Sequence, residues 1–332
     1  MNRTNNHKIL IFLAFISIYI VWGTTFLAIH YGLKGFPPFL LSGFRFFIAG
    51  ALLLGWLYLK GEKPFALKAW KRNSISGFLI LTIGVGSVTW AEQYISSTEA
   101  AIIIASEPFW FILVDKKNRS FYFSNKLAIS GLLLGFIGLL IFFKDSLLHS
   151  EAGGLAGIRT IAFILLVFTA LVWVVGSLYS KKPTGESLFM NVSQQLIFGG
   201  ISSFIIASIS GEWSAFNPVA IPLEAWAGLI YLIVFGSIIA YMSFIWLLSI
   251  KPPALVSTHT FINPIVAVVA GAVIAHETIS SGQMIGVATI IAGVILTNIV
   301  QYKLPKRTKV HIRRTTRFFT NTHIYKRVLN FK

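Results

Sequence analysis

Long apolar runs alternate with short polar stretches along nearly the whole chain. We predict a helix for each apolar run, since each is close to the ~20 residues that cross about 30 Å of hydrocarbon. The connections are short and rich in Gly, Pro, Ser and charged residues, so we expect no soluble domain between the helices. The predicted segments are 9–29, 38–59, 75–95, 98–115, 127–143, 160–180, 188–209, 224–249, 254–276 and 279–300.

The composition supports an all-α integral membrane protein with ten transmembrane helices. Hydrophobic residues make up 55% of the chain and charged residues 12%, more apolar surface than a soluble domain of this length could bury. The sequence has no cysteine, which excludes disulfides, thiolate metal sites and cysteine nucleophiles. No hydrolase, phosphate-loop or zinc-protease motif is present, so we expect neither an enzyme, nor a metal site, nor a cofactor.

Lysine and arginine indicate the orientation. With the N-terminus in the cytoplasm, the inside connections hold most of the basic residues, while the outside loops hold only Lys34, Lys144 and Arg159. We therefore expect both termini to be cytoplasmic. The formal net charge of +17 owes much to the tail, Tyr302 to Lys332, which is basic with interleaved aromatic residues. We expect this tail to attract anionic lipid headgroups rather than nucleic acid.

The two halves of the chain resemble each other. Trp22 matches Trp173, Arg45 matches Gln195 and Gly84 matches Gly236, and the glycines of the fifth and tenth segments also correspond. Since five spans are an odd number, the second copy must cross the membrane upside down, as in transporters built from inverted repeats. The predicted organisation is a cytoplasmic N-terminus (1–8), a first repeat (9–143), an extracytoplasmic loop (144–159), a second repeat (160–300) and a basic cytoplasmic tail (301–332).

Glu107, followed by Pro108, is the strongest candidate for a functional residue. A carboxyl group in the middle of an apolar span is costly, and such groups usually face a cavity. It could exchange protons or bind a cationic group, or it could be a permanently protonated acid that bonds a neighbouring helix. Asn263 and Pro264 occupy the corresponding place in the second half, so we expect the two pairs to face each other at the midplane.

Other polar and aromatic side chains are candidates for the same cavity. His259 lies one helical turn before Asn263, and Trp110 one turn after Glu107, on the same faces. An aromatic wall beside a carboxylate favours an apolar or aromatic solute that carries an amine, although tryptophans near span ends also form interfacial belts. Arg45 and Glu92 lie at depths that allow a salt bridge at the outer vestibule, or both could extend separately to the headgroups. The remaining predicted cavity residues are Trp22, Thr25, Trp173, Gln195 and Tyr241.

Several phrases of the sequence resemble EamA-type transporters of the drug/metabolite transporter superfamily. They cover about residues 9–300 and include VWGTTFLAIHYG, GFRFFIAGALLL, VTWAEQYISSTEAAIIIASEPFWF, GSIIAYMSFIWL and PPALVSTHTFINPIVAVVAGAVIAHETIS. The resemblance implies an inner-membrane exporter of small metabolites, such as amino acids or amphipathic toxic compounds. It also implies a central cavity lined by helices 1–4 and 6–9, with helices 5 and 10 peripheral.

Two classes of function follow from this reading. The favoured one is a secondary transporter that exports small organic solutes by alternating access, either coupled to protons or as a facilitator. The alternative is a membrane protein without transport activity, sensory or lipid-modifying, that reuses the transporter fold.

Overall fold

The computed structural model describes residues 3–62, 67–95, 100, 103–117, 123–142, 156–275 and 281–302. Within these ranges the chain forms helices and turns and contains no strand, which agrees with the predicted all-α class. The basic tail beyond Tyr302 and the predicted loop up to residue 155 lie outside the described residues.

Ten helices of eight residues or more follow one another in the described part of the chain, each at a predicted segment. The bounds of α2 and α7 agree with the prediction to the residue, because polar or proline residues end both apolar runs abruptly. The helices are α1 (3–32), α2 (Pro38–Leu59), α3 (Leu67–Ala91), α4 (Glu107–Val114), α5 (Lys126–Phe142), α6 (Ala156–Ser180), α7 (Leu188–Ile209), α8 (Leu223–Ile250), α9 (His259–Ala275) and α10 (Ser281–Tyr302).

Helices α1, α2, α3, α6, α7 and α8 are long and apolar enough to cross a membrane. Their outer faces carry large exposed hydrophobic side chains such as Phe12, Leu52, Ile164 and Ile205, while Arg45 and many other polar residues are buried inside. An apolar exterior over a partly polar interior is typical of a protein surrounded by lipid. The protein is therefore a multi-pass membrane protein, and the count of ten spans stays a prediction.

Three helices contain wide π-helical segments. These are Ser17–Val21 in α1, Phe78–Gly86 in α3 and Leu232–Ala240 in α8. A π turn interrupts the regular i→i−4 hydrogen bonding of a helix and is often found at functional sites. The segments in α3 and α8 occupy corresponding places in the two halves, and each contains one of the matched glycines, Gly84 and Gly236.

The helices pair across the two halves of the chain. α5 packs mainly on α10, and α2 on α7. The other main contacts come in corresponding pairs: α1 with α8 and α6 with α3, then α9 with α1 and α4 with α6. Each of these contacts thus has a counterpart five helices later, as expected for two halves of similar structure.

Glycines show the same relation at atomic detail. A Cβ atom at Gly50 would lie 2.7 Å from the amide nitrogen of Ile197, and one at Gly200 would lie 2.5 Å from that of Phe47. Phe47 and Ile197 are 150 positions apart, as are the two glycines. In the α5–α10 contact, a Cβ atom at Gly138 would meet Ile290, and one at Gly293 would meet Gly135. These contacts bring helix backbones together, as small residues do in membrane proteins.

The surroundings of Glu107 differ from the prediction in one respect. We expected this residue in the middle of a helix that Pro108 interrupts, but Ala105 and Ser106 form a turn and α4 begins at Glu107 itself. Pro108 therefore occupies the first turn of α4, where a proline costs no helical hydrogen bond. Pro264, by contrast, lies inside α9 as predicted.

Candidate functional site

Four rings from four helices form one cluster where the two halves meet. Trp22 of α1 contacts Trp173 of α6 edge to face, with ring centroids 5.7 Å apart. Phe244 of α8 packs against both indoles, at 5.1 Å from Trp22 and 5.5 Å from Trp173. His259, the first residue of α9, lies 4.7 Å from Trp22 and 5.7 Å from Phe244. We call these four side chains the aromatic cluster, and all of them are buried.

The π segment of α8 positions Trp22. The indole Nε1 of Trp22 donates a hydrogen bond to the carbonyl oxygen of Gly236, at 3.1 Å. A Cβ atom at Gly236 would lie 2.8 Å from Arg45 Nη2 and 3.1 Å from the methyl group of Thr25, so a larger residue there would displace the Arg45 side chain. The buried Arg45 donates from Nε to the hydroxyl of Ser237, at 2.8 Å.

Asn263 joins α9 to the π segment of α1. Both polar atoms of its amide have hydrogen-bond partners when the nitrogen faces α1. In this orientation Nδ2 donates to the carbonyls of Ile18 (3.1 Å) and Tyr19 (3.0 Å). It also donates to the carbonyl of His259, and Oδ1 then accepts from Nδ1 of the same histidine at 3.2 Å. The structure thus brings together His259 and Asn263, which we predicted to share one face of the helix.

A chain of amide hydrogen bonds leads away from the cluster. The hydroxyl of Tyr241, one turn before Phe244, donates to Gln195 Oε1 at 2.6 Å. Gln195 Nε2 donates to Asn73 Oδ1 at 3.1 Å, and Asn73 Nδ2 donates to Gln194 Oε1 at 2.7 Å. The chain connects α8, α7 and α3, and Gln195 faces the interior as predicted.

Glu107 and Trp110 lie apart from the aromatic cluster. α4 packs on α6 and on the short helix Pro253–Val256, so among the described residues no hydrogen bond links Glu107 to Asn263. That the two positions face each other at the midplane stays a prediction, and apolar side chains of α4 and α9 do belong to one cluster. Glu107 is only 3% exposed, and its Oε2 has no hydrogen-bond partner in the described part of the chain. The indole Nε1 of Trp110 donates to Ser106 Oγ at 3.1 Å.

Arg45 and Glu92 do not form the salt bridge that we considered. Arg45 bonds Ser237, and Glu92 Oε1 has no hydrogen-bond partner within the described ranges. On the surface, Lys34 and Glu224 form an ion pair at 3.7 Å.

The sequence profile of the EamA-like transporter family matches the chain twice, over residues 8–144 and again over residues 160–299. The chain belongs to the EamA-like transporter family. This confirms the resemblance seen in the sequence phrases.

Related proteins in this family carry transporter names. The "Uncharacterized inner membrane transporter YedA" of Escherichia coli (strain K12) is 30% identical over 299 residues, which cover 90% of this chain and 93% of the relative. The "Probable amino-acid metabolite efflux pump" of the same strain is 24% identical and covers 88% of this chain and 96% of its own length. A solved structure with 18% identity superposes with a TM-score of 0.68 over 87% of this chain and 96% of its own, and shows the shared fold.

Four residues of this site in the EamA-like protein were not among our predicted site residues. Phe244 lies one turn after Tyr241, a spacing that puts both rings on one helical face. Asn73 lies before the predicted start of the third segment, where we assumed a loop. Gly236 was used only as a repeat marker, and Ser237 gave no signal because a lone serine in an apolar run is common.

Proposed function

We propose that the protein is a secondary transporter of the inner membrane that exports small organic metabolites by alternating access. The observation that carries this proposal is the aromatic cluster, which lies where the two halves of a membrane protein meet and includes polar groups. Substrate sites of transporters with internal repeats lie at such interfaces. The names of the two relatives, an inner membrane transporter and a metabolite efflux pump, agree with the location and the direction of transport.

Two inverted repeats of five helices fit the contacts between the halves. The pairing of α2 with α7 and of α5 with α10 is what two copies related by a two-fold axis would make. The family profile matches once in each half, close to the repeats 9–143 and 160–300. Five spans per copy would reverse the second copy, and the distribution of basic residues supports cytoplasmic placement of both termini.

We propose further that Glu107 couples export to inward protons. Its side chain is buried, and one carboxyl oxygen lacks a hydrogen-bond partner in the described residues. Dry surroundings favour the neutral acid and contact with water favours the carboxylate, so opening to either side of the membrane would load or release a proton. Each inward proton would contribute about 2.3 kcal/mol per 100 mV of membrane potential.

Flux from liposomes tests both proposals. Purified protein is first screened by thermal shift against amino acids, polyamines and cationic dyes, because a bound solute stabilises the folded state. A stabilising solute is then used in liposomes that contain a pH-sensitive dye. We expect solute flux with proton movement in the parent protein, and solute binding without proton movement in Glu107→Gln.

The matched control is Glu224→Gln, which replaces an exposed carboxylate and should transport as the parent does. Solute flux without proton movement in the parent, or unchanged proton movement in Glu107→Gln, would reject the coupling. Solute binding without flux in the parent would reject transport and favour the sensory or lipid-modifying alternative.

A further inference from the structure

We infer that the transported solute is an uncharged planar molecule that accepts a hydrogen bond from Trp173 Nε1 and donates one to His259 Nε2. This inference rests on the proposed transport function and specifies the class of substrate. It starts from two polar nitrogens of the aromatic cluster that have no hydrogen-bond partner among the described residues. Both side chains are more than nine-tenths buried, where an unused hydrogen-bonding group is costly.

Asn263 determines which nitrogen of His259 carries the proton. The Asn263 nitrogen faces three carbonyl oxygens, those of Ile18, Tyr19 and His259, so the amide cannot turn over without losing these bonds. Its oxygen therefore faces His259 Nδ1, and that nitrogen must be the donor. In a neutral imidazole the other nitrogen, Nε2, is then an acceptor. The ligand must supply a donor at this position.

The two tryptophans of the cluster differ in what they offer. Trp22 Nε1 already donates to Gly236, so Trp22 contributes only its ring. Trp173 Nε1 is a donor without an acceptor within the described ranges, so the ligand must supply an acceptor there. Trp22 and Phe244 each contact both Trp173 and His259, so the two free nitrogens border the same pair of rings. A planar ring that carries both an acceptor and a donor would match these two nitrogens.

No acidic side chain in the described part of the chain bonds the aromatic cluster, and the nearby Arg45, whose Nη2 lies 2.8 Å from where a Cβ atom of Gly236 would be, donates from Nε to Ser237. Within the described residues, no hydrogen bond or cation–ring contact joins an Asp, Glu, Lys or Arg side chain to any of the four rings. Glu107 belongs to α4, whose apolar side chains form a cluster with Val174 of α6 and Phe261 of α9, and Glu107 Oε2 bonds none of the described residues. A cationic ligand would lose its hydration without gaining an acidic partner. The amine that we expected on the solute from the sequence is therefore not favoured by this site.

A series of small benzene derivatives tests the inference in detergent. Benzamide carries a donor and an acceptor, acetophenone an acceptor only, aniline a donor, and benzylamine and benzoate are charged. Binding is measured by thermal-shift titration of the full chain. We expect benzamide to bind at least tenfold more tightly than benzylamine or benzoate.

Two variants assign the contacts. His259→Phe should weaken benzamide and aniline about tenfold and leave acetophenone unchanged, whereas Trp173→Phe should weaken benzamide and acetophenone and leave aniline unchanged. Trp56→Phe, which replaces a tryptophan on the outer face of α2, is the control and should bind all of them as the parent does.

Tighter binding of benzylamine or benzoate than of benzamide overturns the inference, as does the absence of benzamide binding. Equal effects of both variants on all ligands also overturn it. The comparison of ligands on the parent protein remains decisive if a variant does not fold. Because binding is measured without flux, failure of this inference is distinct from failure of transport.

Discussion

Trp22 and Trp173 occupy equivalent places in the two repeats but form different contacts. Trp22 donates to the carbonyl of Gly236, whereas the ring edge of Trp173 lies against Gly84, with Cε3 2.7 Å from where a Cβ atom would be. The indole nitrogen of Trp173 is left unpaired in the described structure. The indole nitrogen of Trp22 is therefore used within the protein, whereas that of Trp173 is not used within the described residues.

Substituting each tryptophan by phenylalanine should separate these roles. Both changes remove the same volume. The difference between the two losses of unfolding free energy therefore reports the hydrogen bond from Trp22 to the Gly236 carbonyl. We expect Trp22→Phe to lower the free energy of unfolding by about 1 kcal/mol more than Trp173→Phe, because it leaves the Gly236 carbonyl without its donor. Unfolding of the purified variants in detergent measures the difference. Equal losses would show that the Trp22–Gly236 bond contributes no stability.

Single residues were predicted unevenly from the sequence. His259 and Asn263 were assigned to one face because residues four apart in a helix are neighbours, and the structure shows them in contact. Glu107 was placed mid-helix because an apolar run does not reveal whether its proline bends a helix or begins one. The bond between Arg45 and Ser237 joins positions 192 residues apart, which local spacing cannot reveal.

At the scale of helices, close contact between backbones depends on glycine. Gly200 of α7 faces the backbone of Phe47 in α2, and its position would bring a Cβ atom within 2.7 Å of the Phe47 Cα atom. Gly55, near the C-terminal end of α2, has no neighbour within 4 Å of where a Cβ atom would be. The two glycines therefore predict opposite results for the same substitution.

We expect Gly200→Ala to lower the free energy of unfolding by about 1–3 kcal/mol, since α2 and α7 would have to move apart. Gly55→Ala should leave stability unchanged or raise it by up to about 1 kcal/mol, because alanine favours the helix. Thermal unfolding of both variants under the same conditions makes the comparison. A stable Gly200→Ala variant would mean that the α2–α7 contact is looser than described.

Hydropathy predicted the helices well and their internal geometry poorly. The extents of α2 and α7 follow from the ends of apolar runs, but the π segments of α1, α3 and α8 left no trace in the pattern. An entirely apolar segment such as Phe78–Gly86 has the same hydropathy in either helical form. The free backbone carbonyls that receive Trp22 and Asn263 could therefore not be predicted.

At the scale of the whole molecule, neither half covers its own contact surfaces. α2 and α5 of the first half pack mainly on α7 and α10 of the second. The amide chain from Asn73 to Gln195 also crosses between the halves. A half on its own would expose both the glycine-lined faces and these buried amides.

We therefore expect residues 1–150 and 151–332 to fold only together. Each fragment expressed alone should be degraded, whereas the two expressed in the same cell should copurify through a tag on either one. Copurification from detergent extracts and the amount of each fragment in membranes measure this. A fragment that accumulates alone as a stable monomer would contradict the dependence of each half on the other.

The reciprocal glycine contacts also bear on ancestry. Since Gly50 meets Ile197 while Gly200 meets Phe47, an ancestral five-helix polypeptide could have used a single surface to bind another copy of itself in the opposite orientation. A copy with five spans starts and ends on opposite sides of the membrane. If two such genes were joined end to end, the second copy would therefore be reversed without an added helix. Separate mutation of the two copies after such a fusion would account for Glu107 in the first half where the second half has Asn263.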